Sequence, residues 1–139
     1  MALGVDIIIY PGFKSMEAVG PVNVFTYANR HLQSSNDPRR YDIRVTAPQP
    51  GYVSSDTLLS IEATAPLATR DLPHTVMITG APDIDRALEA SPTIVDWCRI
   101  NSSKVPRLAG LCSGSFFLAA SGALNGKRAT THWSVAGLL

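Results

Sequence analysis

An α/β domain with a mainly parallel sheet is the fold class this sequence predicts. Short apolar runs rich in β-branched residues occur at Val5–Tyr10 and at His74–Thr79 (HTVMIT), as expected of strands buried on both faces. Segments with apolar residues at helical spacing separate such runs, and alternation of the two patterns is the order of βαβ units. With 139 residues, 45% of them hydrophobic and 17% charged, the chain is near the commonest size for one domain around one core.

Taken in order, Val5–Tyr10 forms the first strand and ends at Pro11-Gly12. Ser15 is placed to cap a helix whose apolar face runs through Val19, Val22, Phe25 and Tyr27 or Ala28 to about Leu32. The loop SSNDPRR leads to a second strand, Tyr41–Ala47, in which Tyr41, Ile43 and Val45 alternate. From Gly51 to Thr64, short strand pieces around turn residues predict a hairpin excursion. The strand His74–Thr79 stops at Gly80-Ala81-Pro82-Asp83. Ile84 to about Ser102 reads as mostly helical, with Pro92 in the first turn of its second half. A short strand at Val105–Leu111 precedes a helix at Ser113–Ser121 that ends at Gly122. Asn125-Gly126 then turns the chain into a strand at about Arg128–Thr131, and a final helix begins near Trp133.

Twelve Lys and Arg against eleven Asp and Glu give a net charge of +1, with the basic residues scattered and gathered into no more than adjacent pairs such as Arg39-Arg40. That balance gives this segment no electrostatic footprint for nucleic acid. No apolar run approaches the roughly 18 residues needed to span a bilayer. The N-terminus lacks a basic leader and carries Asp6 inside its apolar run, so it reads as a strand and not as a signal peptide. Cys98 and Cys112 form neither a CxxC motif nor a disulfide framework, which predicts reduced thiols and a cytoplasmic protein. The three histidines and two cysteines show no metal-ligand spacing. With no G-x-G-x-x-G and no Walker loop, no cofactor is expected.

In a parallel sheet, reactive groups gather at the carboxyl ends of the strands. Three loops fall there: Pro11–Glu17, Gly80–Asp83 and Gly110–Gly114. The last, Gly110-Leu111-Cys112-Ser113-Gly114, fits G-x-C-x-G, a cysteine form of the nucleophile elbow. A sharp strand-to-helix turn holds such a nucleophile in a strained conformation, and the flanking glycines make room for it. At a helix N-terminus, dipole and free N–H groups favour a thiolate and can bind an oxyanion. A buried cysteine in a glycine-rich turn is the competing reading. His132, after the next predicted strand, is either the base for that thiol or an ordinary strand-end histidine. Glu17 at the start of the first helix either serves the site or complements the helix dipole. Gly80-Ala81 either offers N–H groups to an oxyanion or turns the chain, and Cys98 beside Trp97 reads as helix core.

The segments VDIIIYPGFKSMEAVGPVNVF and GLCSGSFFLAASGALNGKRATTHW, with the buried strand before Gly80 between them, resemble the ThiJ/PfpI superfamily, the class I glutamine amidotransferase-like fold. The wording GPVNVF and CSGSFFLAASGALNGKRATTHW is most similar to the amidase-like N-terminal domains of AraC-type transcription regulators. Isonitrile hydratase and related small enzymes share most of it. The resemblance implies a flavodoxin-like three-layer sandwich, a homodimer, and a site built from Cys112, Glu17 and His132. It implies the backbone N–H groups of Ser113 and Ala81 as oxyanion donors. Gly80-Ala81 stands where many members have Gly-Gly. Further C-terminal strand and helix elements, and the regulators' helix-turn-helix domain, do not follow Leu139 in this sequence, so a C-terminally incomplete domain is expected, with DNA contact left to a domain outside it.

Two functions follow. One is a sensor domain that binds a small polar metabolite at the Cys112 site and dimerises. The other is a cysteine-dependent hydrolase or hydratase in which Cys112 attacks an electrophilic carbon while Glu17 or His132 moves protons. Oxidation of an accessible Cys112 to a sulfenic acid is a lesser variant of the second.

Overall fold

The computed structural model describes all 139 residues. Strands β1 (Ala2–Ile8), β2 (Arg40–Ala47), β5 (Ala65–Pro66), β6 (Thr75–Ile78) and β7 (Arg107–Gly110) form one sheet in the order β5-β2-β1-β6-β7. Every pairing in that sheet is parallel. Strands β3 (Gly51–Ser54) and β4 (Ser60–Ala63) form a separate antiparallel hairpin, the excursion expected from the turn-rich sequence there.

Helix α1 (Ser15–Ser34) connects β1 to β2 and packs on both. Helices α2 (Ile84–Ala90) and α3 (Pro92–Asn101) connect β6 to β7, and α4 (Ser115–Ala120) packs on β7 and α3. From β1 the chain winds outward to β2 on one side and to β6 and β7 on the other. Right-handed crossovers in opposite directions place α1 and the α2–α3 pair on opposite faces of the sheet. The result is the three-layer, flavodoxin-like α/β arrangement. The strand order reverses between β1 and β6, so a crevice opens where the loops after them diverge.

Burial on both faces explains the sequence of β1. Val5, Ile7, Ile8, Ile9 and Tyr10 are all buried, and the last four join Phe13, Val76, Ile78, Ile94 and Phe117 in one core. Each such side chain stabilises the fold by about 1.5–3 kcal/mol relative to exposure. Asp6 is buried in this run as well. Its carboxylate accepts two hydrogen bonds from Arg44 on β2, at 2.7 and 2.9 Å, from the residue directly paired with it across the ladder. Burial still raises the Asp6 carboxyl above its ordinary range, with Arg44 pulling the other way.

The helical stretch from Ile84 divides at Ser91, and Pro92 stands at the first position of α3, as expected of its second half. Three expectations are corrected. Ser15 is not a capping residue: it is the first residue of α1, and its N–H donates to Asp56 Oδ1 at 3.0 Å, so the hairpin supplies the cap. No strand forms at Arg128–Thr131. That segment is irregular and mostly exposed, and no strand of either sheet pairs with it. The last helix is a 3₁₀ segment, Trp133–Leu138. Strand β5 was not expected, since Ala65–Pro66 carries no strand pattern and is held only by its ladder with β2.

Candidate functional site

The three predicted loops do meet at the carboxyl edge, and the tightest of them follows β7. Leu111 is extended, Cys112 has φ of +51°, and a 3₁₀ turn over Cys112–Gly114 leads into α4. A left-handed conformation is strained for a residue with a side chain. The surrounding glycines show why the turn is so sharp. A Cβ on Gly110 would lie 2.5 Å from the Ser115 nitrogen, and one on Gly114 would lie 2.2 Å from the Ile78 oxygen. The turn is tied down by Leu111 N–H to Ile78 O at 2.8 Å and Gly114 N–H to Leu111 O at 2.7 Å.

The loop after β6 packs directly against that turn. A Cβ on Gly80 would meet Ser113 Oγ at 2.6 Å, Ser113 N at 2.9 Å and Glu17 Oε2 at 3.1 Å, so only glycine fits there. Gly80 N–H donates to Glu17 Oε2 at 2.6 Å, which fixes the carboxylate from α1 at the edge. Ala81 N–H donates to Ser113 Oγ at 3.1 Å, and that hydroxyl donates back to Ala81 O at 2.9 Å. The Ala81 amide is therefore engaged by a side chain within the chain. The N–H groups of Cys112 and Ser113 have no acceptor in the protein.

The residue that touches the cysteine sulfur is one the sequence did not single out. Lys14 Nζ donates to Cys112 Sγ at 3.4 Å. Its loop lies on the edge already identified, but the direction of a long flexible side chain leaves no trace in spacing. Tyr10 forms the floor: its hydroxyl donates to Thr79 O at 2.6 Å and its ring packs on Phe117 at 4.9 Å. Burial, then the neighbouring Glu17 charge, raises its phenol well above the ordinary range.

His132 makes no hydrogen bond to the sulfur. Its Nδ1 pairs with Ser134 Oγ at 2.7 Å and accepts the Ser134 N–H at 3.3 Å. The preceding residue does reach the turn, since Thr131 Oγ1 donates to Cys112 O at 3.0 Å. A cavity of about 450 Å³ opens at the same edge, lined in part by Pro11, Gly12, Asp56, Ala81, Pro82 and Arg86. It shares two loops with the site, but Cys112 is not on its wall. No three His, Cys, Asp or Glu side chains gather as a metal site would require.

Cys98 contrasts with all of this. It lies in α3 with no exposed surface, and burial pushes its thiol up to about 12.

The model of the DJ-1/PfpI family matches residues 4–139. The chain belongs to the DJ-1/PfpI family. Among its relatives, isonitrile hydratase of Pseudomonas putida is 27% identical over 139 residues, covering 100% of this chain and 56% of that enzyme. The HTH-type transcriptional regulator CdhR of Pseudomonas aeruginosa is 30% identical over 129 residues, covering 91% of this chain and 35% of the regulator. A crystal structure of a ThiJ/PfpI family protein from Pseudomonas syringae superposes with a TM-score of 0.75 at 28% identity, over 96% of this chain and 52% of that one. The DJ-1/PfpI chain thus spans about half or less of these three proteins.

Proposed function

We propose that this chain is the ligand-sensing, dimerising domain of an AraC-type transcription regulator acting in the cytoplasm, with its small-molecule site at the sheet edge around Cys112, Glu17 and His132. The likeness to CdhR carries the reading, because it covers 91% of this chain and only 35% of the regulator. A helix-turn-helix domain elsewhere in a longer protein makes the DNA contact, in keeping with the net charge of +1 here. The state of the site also favours recognition over turnover. Glu17 is bound to Gly80 N–H, the Ala81 amide to Ser113, and His132 to Ser134. For dimerisation, the support is the row of exposed Met16, Val24 and Tyr27 on α1, apolar surface suited to a second copy.

A cysteine enzyme is the second reading, favoured by the strained φ of Cys112 and the likeness to isonitrile hydratase. Cys112 would then be the nucleophile, Glu17 or His132 the proton carrier, and the Ser113 and Ala81 N–H groups the oxyanion donors, after Ala81 leaves Ser113 Oγ. The test uses the full-length natural protein that contains this segment. The sensor reading expects DNA binding that changes with a metabolite and survives Cys112→Ala. Turnover of a substrate that Cys112→Ala abolishes, in a protein without DNA binding, overturns it in favour of the enzyme.

A further inference from the structure

We propose that the small molecule recognised at this site carries a carboxylate, and that Lys14 selects it by presenting an ammonium beside the Cys112 sulfur. This rests on the preceding reading that the sheet edge is a small-molecule site, and it names the class of ligand.

The charges around Lys14 carry the inference. The ion pairs of the chain are Arg39–Asp37, Arg44–Asp6 and Arg99–Asp96, so Lys14 has no carboxylate partner. Two acids of the same edge are each held by a backbone donor, Glu17 by Gly80 N–H and Asp56 by Ser15 N–H. Lys14 is half-buried, and the one hydrogen bond of its ammonium goes to Cys112 Sγ at 3.4 Å. An ammonium has three donors, which leaves two without an acceptor in the chain. A partly desolvated cation with spare donors is stabilised by a counter-charge, and with no carboxylate of the chain within ion-pair distance a ligand anion beside the sulfur can supply one. A single ammonium balances one negative charge, which suits a carboxylate better than a phosphate dianion. The main chain that carries the ammonium is held in place: Lys14 N–H donates to Gly80 O at 2.9 Å, and Asp56 N–H to Phe13 O at 2.8 Å.

Iodoacetate and iodoacetamide test this, because they differ in the carboxylate and share the alkylated carbon. In both, the sulfur bonds to the methylene carbon and iodide leaves. Rates at Cys112 are followed by mass spectrometry in the wild-type chain, Lys14→Met and Lys14→Arg, with Lys14→Gln as a further variant should the methionine impair folding. In wild type the iodoacetate-to-iodoacetamide rate ratio should exceed that of the same thiol in urea. Lys14→Met should lower the ratio by about fivefold, the scale of one charge pair near water, and Lys14→Arg should restore most of it. An equal ratio in wild type and Lys14→Met overturns the proposal while leaving the site itself intact. So does an equal slowing of both reagents, which would mean that Lys14 acts on the sulfur alone. If neither reagent modifies Cys112 in the folded protein, the sulfur is closed to small molecules and the site reading falls with it.

Discussion

The two cysteines of this chain occupy opposite kinds of backbone. Cys98 sits in regular helix, fully buried, where a thiol is only a small apolar side chain. Cys112 sits at a left-handed residue between strand and helix, half-buried, with an ammonium on its sulfur. The difference comes from the turn and its neighbours, since the residue type is the same. Three glycines make that turn possible, and none of them could carry a Cβ without displacing backbone or side-chain atoms.

That contrast should be widest in reactivity. Iodoacetamide should alkylate Cys112 at least about a hundredfold faster than Cys98 in the folded chain, because Cys98 reacts only through opening of α3. Equal rates, read by peptide mapping, would erase the distinction. In stability the order reverses. Cys98→Ser buries a hydroxyl in an apolar core and should cost about 1–2 kcal/mol in urea melts. Cys112→Gly relieves a left-handed residue and should add about 0.5–1 kcal/mol. A loss of stability in Cys112→Gly would mean that the turn is not strained.

The remaining contrast lies in alkaline pH. Burial raises the Cys98 thiol from 9.0 to about 12, so the folded chain keeps a proton that the unfolded chain releases. The stabilisation is complete below pH 9 and is lost as pH rises toward 12. Cys98→Ala should flatten that decline by up to about 1.4 kcal/mol per pH unit, the value for one proton. The raised Tyr10 phenol adds to the decline in both proteins, so the measurement is the difference between them. Identical slopes would place Cys98 in contact with solvent.

The sheet and the placement of the site were legible in the sequence because both rest on local signals. Continuous apolar runs mark β1 and β6, and the glycines around Cys112 mark the turn. Glu17, Gly80 and Ser113 meet where the loop order put them. What escaped depends on atoms far apart in sequence. The direction of the Lys14 side chain follows from the fold around it, and the cap on α1 comes from Asp56 on the hairpin. The segment before His132 has strand-like residues but no ladder partner, so the expected strand does not form and His132 turns to Ser134.

The hairpin β3–β4 reaches the site through three ties: Gly12 N–H to Ser54 O, Asp56 N–H to Phe13 O, and Ser15 N–H to Asp56 Oδ1. Two of these join main chain to main chain, so they are indifferent to which side chains the hairpin bears. Only the third depends on a side chain. The hairpin is therefore bound by its length far more than by its composition: most exchanges of residue leave the Lys14 loop where it is, whereas one inserted or deleted residue between Ser54 and Asp56 moves it.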